Sequence, residues 1–114
     1  MRSINSVYHA VSSPINDLIT YNALPGDHLS LDALNPFIFL NHHGPQFFSP
    51  DNHGLPIGPH PHRGIETVTF IIDGDIKHKD SGGEESIIYA GGVQWMSAGK
   101  GLLHSETCSN DFLK

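Results

Sequence analysis

Alternation of apolar and polar residues is sharpest in the second half of the chain. From Ile65 the sequence reads ETVTFIIDGDIKHKDS, a β-branched and aromatic stretch, then Asp73-Gly74, then a second alternating stretch around Ile76 and His78. Val, Thr, Ile and Phe suit a pleated, half-buried surface and Asp-Gly suits a tight turn, so this segment predicts a β-hairpin. Further turns are predicted at Ser81-Gly82-Gly83 and Gly91-Gly92, with short strands at Ser86-Ile87-Ile88-Tyr89 and Val93-Gln94-Trp95-Met96, the last ending at Gly99-Lys100-Gly101. Trp95 and Met96 are neighbours on a strand, so one is expected in the core and the other facing outward.

The first half is less regular. Residues 1 to 35 mix short apolar pairs with turn formers, as in NALPGDHLSLDALNP, and predict short edge strands and loops. Pro36-Phe37-Ile38-Phe39-Leu40 is a compact apolar run that predicts a buried strand. Residues 41 to 61, NHHGPQFFSPDNHGLPIGPHP, are so dense in Pro and Gly that a long ordered loop is expected in place of regular structure. Short strands with a turn signal roughly every ten residues predict an all-β fold, an antiparallel sandwich or barrel, with no helix.

Composition narrows the function. A chain of 114 residues with 38% hydrophobic content is expected to form one compact domain. Twelve Asp+Glu against six Lys+Arg give a formal charge of −6 with no basic run, which argues against direct nucleic-acid binding. The single Cys108 cannot form an internal disulfide, and the opening MRSINSVYHAVSS lacks the continuous apolar stretch of a signal peptide or membrane span. A cytoplasmic protein with no membrane partner is the expectation.

Five of the nine histidines fall between His42 and His62 and include an H-x-H, which directs attention to metal binding. Alternate side chains of an extended strand share a face, so His60 and His62 in H-P-H aim both imidazoles at one region about 6–7 Å along the strand. Pro61 restricts His60 to extended geometry. The same period places His104 and Glu106 of H-S-E on one face of a later strand. Two strands giving two ligands each make a pocket of three imidazoles and one carboxylate, suited to iron, manganese, nickel, copper or zinc and leaving one or two coordination positions open.

These residues also carry a resemblance. Gly54, five residues, His60-x-His62, three residues and Glu66 resemble the first cupin motif, and Gly101-x-x-His104 resembles the core of the second. The second motif here lacks the usual Pro before its glycine, and its histidine is followed by Ser105-Glu106. The strings HPHRGIETVTF, HKDS and QWMSAGKGLLHSE closely resemble the pirin family of cupins, and Asn35-Pro36-Phe37 to Leu40 fits the strand preceding the site. The likeness spans roughly residues 20 to 114.

The resemblance implies a cupin-type antiparallel jelly-roll barrel, incomplete at its C-terminal end, with residues 1–114 as a partial N-terminal domain and the second cupin domain absent. It implies Fe(II), or another divalent transition metal, bound by His60, His62, His104 and Glu106, with Glu66 outside the ligand set as an outer candidate. It further implies quercetin 2,3-dioxygenase-type oxidoreductase activity on a flavonol-like small molecule, with Glu106 catalytic, either staying bound or swinging off to accept a proton. The alternatives are a non-catalytic, metal-dependent regulatory protein with a protein partner, and a truncated remnant without activity. Open sheet edges in a partial barrel lead to the expectation of a homodimer with paired or exchanged strands. His42, His43 and His53 are expected to be solvated loop residues, Cys108 a buried hydrophobe without a catalytic role, and Lys77, Lys79, Asp80, Glu84 and Glu85 a solvated hairpin face. Arg63 is left open between orienting Glu66 or a substrate anion and simple surface exposure.

Overall fold

A computed structural model of the chain describes residues 3–4, 6–26, 29–49 and 52–111. Pro50 and Asp51 of the expected long loop lie outside the described residues. The chain divides into two compact units, Met1–Phe47 and Phe48–Lys114. All strand pairs in both are antiparallel, and among the described residues no helix is long and apolar enough to cross a membrane.

The first unit holds β1 (Val11–Ser12), β2 (Thr20–Leu24), the single-turn helix α1 (Leu31–Leu34) and β3 (Leu40–His43), with the strands in the order β1-β2-β3. The helix was not expected, because four residues are too few for a 3.6-residue period to register. Its cause is local: Ser30 Oγ accepts the Ala33 amide at 3.3 Å, a side-chain N-cap, with Asp32 in the first turn. The apolar run expected as a buried strand is corrected too. The Phe37 amide donates to the Leu34 carbonyl at 2.8 Å, so the run begins inside the turn that ends α1. Only Leu40 reaches the ladder with β2, and Phe37, Ile38 and Phe39 are 69%, 49% and 46% exposed.

The second unit holds β4 (Ile57–His62), β5 (Glu66–Phe70), β6 (Asp75–Asp80), β7 (Glu85–Tyr89), β8 (Val93–Ser97) and β9 (Leu102–Thr107). Its four-stranded sheet has the order β4-β9-β6-β7 and its two-stranded sheet pairs β5 with β8. Among the described residues no ladder joins the two sheets, so the barrel is not closed.

The hairpin expected at Asp73-Gly74 does not form. The turn is there, with Gly74 at φ 77°, but β5 pairs β8 while β6 pairs β7 and β9. The chain changes sheets at this turn and returns at Gly91-Gly92, and backbone bonds tie the two crossings together. Ile71 donates to the Gly92 carbonyl at 3.1 Å, Gly91 to the Ile71 carbonyl at 2.8 Å, and Ala90 to the Gly74 carbonyl at 3.0 Å. Gly92 is needed there for space, since a Cβ would lie 2.6 Å from Ile88 Cγ2 and 2.8 Å from the Tyr89 carbonyl. The local hairpin is instead β6–β7, turning at Ser81-Gly82-Gly83.

A second correction concerns the long loop. Its ends belong to strands, His42 and His43 to β3 and Ile57–His62 to β4, despite Pro59 and Pro61. Proline removes a ladder donor and is tolerated at a sheet edge. β4 is such an edge, with β9 as its one neighbour among the described residues, and residues two apart place their missing donors on one side of the strand. The core of this unit includes Ile71, Met96, Ala98 and Cys108. Met96 is 6% exposed and Trp95 68%, as the alternation of neighbouring strand positions requires.

Candidate metal centre

β4 and β9 lie side by side with His60 directly opposite His104 and Ile57 opposite Glu106. Period-two geometry brings His62 onto the face of His60. The His104 Nε2 is 2.9 Å from His60 Nε2, and His60 Nε2 is 3.1 Å from His62 Nε2. All three ligating atoms lie within 4.8 Å of one another.

The donor set fits a transition metal on two counts. Ring nitrogens about 2.0–2.1 Å from one ion stand about 2.9–3.0 Å apart at a right angle and about 3.4 Å apart at a tetrahedral angle, and the observed 2.9 and 3.1 Å match the first. The protonation pattern is also suitable. His60 Nδ1 lies 2.9 Å from the Gly58 carbonyl, which can only accept, so the network assigns the proton to Nδ1 and leaves Nε2 bare. Burial pushes His104 down to about 4, helped by the positive charges His60, His62 and His78 would carry, against the opposing pull of Asp80. Burial, then His60, lowers His62. Neutral imidazoles are what a metal needs.

Glu106, the fourth expected ligand, stands opposite His78 on β6. It forms a second candidate group with His78 and His104, again within 4.8 Å. The structure therefore brings His60, His62 and His104 together and places Glu106 beside His104 in an overlapping set. Burial raises its carboxyl above the ordinary value, while His60 and His78 pull the other way.

His78 was not among the sequence candidates. It is 4% exposed, with Nε2 3.1 Å from Asp80 Oδ2 and Nδ1 3.4 Å from His104 Nδ1. The signal was present as H-K-D, the same alternation as H-P-H. Two lysines and neighbouring acids disguised it as a solvated face. That face is only partly solvated: Lys77 and Lys79 pair with Glu85 at 2.8 and 3.6 Å, whereas the Asp80 side chain is 7% exposed. A hydrogen bond from His78, then the Glu84 and Gly82 amides, lowers the Asp80 carboxyl, against burial.

Glu66 belongs to neither histidine group. It accepts from Trp95 Nε1 at 3.0 Å and from Ser97 Oγ at 3.2 Å, across the β5–β8 pair. His42, His43 and His53 likewise fall outside both groups, and Cys108 is buried at 4% exposure.

The family model described as Pirin matches residues 18–112. A Pseudomonas aeruginosa protein provisionally named for quercetin 2,3-dioxygenase activity is 43% identical over 99 residues, covering 87% of this chain and 32% of that protein. The pirin-like protein 2 of Arabidopsis thaliana is 48% identical over 73 residues, covering 64% of this chain and 21% of that protein. A crystal structure of quercetin 2,3-dioxygenase from Acinetobacter baumannii matches with a TM-score of 0.74 at 34% identity, over 88% of this chain and 33% of the other. The crystal structure of GK1651 from Geobacillus kaustophilus matches with a TM-score of 0.76 at 30% identity, over 94% and 40%. The chain thus spans between about a fifth and a third of the curated relatives it matches, and its architecture is the cupin-type antiparallel β fold of the matched structures.

Proposed function

The chain belongs to the pirin family, and from that premise we propose that it holds one divalent transition metal, Fe(II), and serves as the metal-binding part of a dioxygenase acting on a quercetin-like enol. The observation that carries this reading is the trio of Nε2 atoms spaced 2.9 and 3.1 Å, with His60 Nδ1 already committed to the Gly58 carbonyl. Bare ring nitrogens at that separation repel unless something positive lies between them.

His60, His62 and His104 hold the ion, and Glu106 supplies the carboxylate arm. Bound there, the metal would act as a Lewis acid toward a substrate oxygen and give access to dioxygen chemistry. Glu106 has a second role within reach: its burial-raised basicity suits it to take the proton of an acidic enol hydroxyl and hold it on its carboxylate. The relatives named for quercetin 2,3-dioxygenase support the substrate class.

A second reading, a metal-dependent interaction protein, is favoured by the outward face of the β5–β8 sheet. Val68 stands opposite Trp95 and Phe70 opposite Val93, and all four are exposed, by 40%, 68%, 70% and 49% respectively. Grouped exposed apolar side chains mark contact surfaces.

The deciding experiment is metal content on protein prepared without a chelating tag, followed by anaerobic Fe(II) loading and quercetin consumption under oxygen. About one metal per chain, absent from a His60→Ala/His62→Ala variant, with flavonol loss only in the loaded wild type, supports the dioxygenase. Metal uptake without flavonol loss moves the reading to the interaction protein, and a chain that ignores Fe(II) refutes the metal site.

A further inference from the structure

Behind the three imidazoles runs a line of polar groups that the proposed reaction does not use. Asp80 sits at the end of β6 where the chain turns into β7. Its Oδ1 is occupied by the turn, accepting the Gly82 amide at 2.8 Å and the Glu84 amide at 3.2 Å. Its Oδ2 faces His78 Nε2 at 3.1 Å. The opposite ring nitrogen of His78, Nδ1, faces His104 Nδ1 at 3.4 Å. His104 then presents Nε2 to His60. His78 and His104 are 4% and 3% exposed, so water does not compete freely for these atoms.

With both imidazoles neutral, each link has one direction. An ionised carboxylate accepts and cannot donate, so His78 carries its proton on Nε2. A neutral imidazole has one N–H, which leaves His78 Nδ1 bare. Two bare nitrogens facing each other at 3.4 Å would repel, so His104 places its own proton on Nδ1 and points it at His78. The link is long for a hydrogen bond, and it works here by excluding the other arrangement more than by its strength. His104 Nε2 is then left as a free lone pair aimed at the metal position.

We infer that Asp80 and His78 are positioning residues that set the tautomer of His104 and so ready its Nε2 for metal. This inference rests on the metal-site reading above and adds two residues to it. Metal-bound histidines commonly donate their second ring nitrogen to a carboxylate or carbonyl; here an extra imidazole stands between the two. The overlapping group of His78, His104 and Glu106 has a competing use as a separate ion site, and the same experiment decides between them.

The informative variant is Asp80→Asn. Its Oδ1 can still accept the two turn amides, which leaves the amide NH₂ facing His78 Nε2. His78 must then accept at Nε2 and carry its proton on Nδ1, His104 must accept there, and its proton moves to Nε2, where it blocks ligation. Two readouts are taken: the ring-nitrogen tautomers of metal-free protein by ¹⁵N NMR, and Zn(II) affinity and stoichiometry by titration. The expected result is an Nδ1–H tautomer at His104 in the wild type and Nε2–H in Asp80→Asn. One Zn(II) per chain is expected, bound about 10- to 100-fold more weakly by the variant, with an unchanged far-ultraviolet dichroism spectrum.

An unchanged tautomer in the variant, equal affinities, or two Zn(II) per chain with the second lost in His78→Ala would overturn the inference. If neither protein binds Zn(II) but the tautomers switch as described, the metal reading fails while the positioning relation stands. Should Asp80→Asn unfold, His78→Ala, which removes the intermediate ring and leaves the Asp80 turn bonds in place, takes over the same two readouts. Its His104 tautomers are then expected to be mixed, and a pure Nδ1–H state would overturn the inference.

Discussion

Substituting His60 by alanine separates the metal from the fold. In the wild type, an ion present at about 100 times its dissociation constant stabilises the native state by about 2.7 kcal/mol. For a cooperative unit of the size of residues 48–114, each kcal/mol moves the melting temperature by about 4–8 °C, so loading should raise it by roughly 10–20 °C. His60 contributes the nitrogen that lies 2.9 Å from one partner and 3.1 Å from the other, and without it the trio is reduced to a pair. The variant should therefore shift by no more than about 2 °C at the same ion concentration. The metal-free variant carries the second half of the argument. His60 is only partly buried and crowds two other lone pairs, so its removal should leave metal-free stability within about 0.5–1 kcal/mol of wild type, and relief of that crowding should make the change stabilising. The assay is differential scanning calorimetry with and without Zn(II), a redox-inert stand-in for iron. A variant that keeps the full shift, or that loses several kcal/mol before any metal is added, refutes the reasoning.

Met96→Ala should cost about 2–5 kcal/mol by urea denaturation, because Met96 is among the few deeply buried apolar side chains of its unit, whereas Trp95→Ala one residue away should cost under about 1 kcal/mol. Acid should destabilise the metal-free chain partly through Asp80: its folded carboxyl is lowered, so its contribution is present above the ordinary value of 3.8 and disappears as pH falls through the folded value. Asp80→Asn should accordingly flatten the stability loss below about pH 4 measured by denaturant midpoints, and an unchanged slope would count against it. Light scattering at micromolar concentration should give twice the 12.4 kDa of one chain for the expected homodimer, and a monomer mass would refute that association.

The parts of this structure that were legible in the sequence are those decided by neighbours along the chain. The β7 and β8 strands, the Gly82-Gly83 turn and the opposite fates of Trp95 and Met96 all follow from period-two patterning and turn chemistry. The three histidines were legible for the same reason, since H-P-H and H-S-E each fix a face. What the sequence did not disclose was pairing. Alternation in β5 states that the strand has two faces and is silent on whether β6 or β8 lies beside it. His78 was hidden for that reason: only the β6–β9 register, His78 opposite Glu106 and Asp80 opposite His104, carries it to the site. Proline density misled at β4 because a sheet edge does not need the donors that proline lacks.

The two prolines of β4 also bear on how the molecule can polymerise. A border that cannot offer a full row of amide donors is a poor template for an incoming strand, and such borders suppress runaway sheet growth. In this sheet the border so blunted is the one that carries His60 and His62, while the opposite border, β7, contains no proline from Glu85 to Tyr89. A second chain that lengthened this sheet would find an unbroken row of amide donors only at the rim without metal ligands, and pairing there would leave the strand of His60 and His62 uncovered.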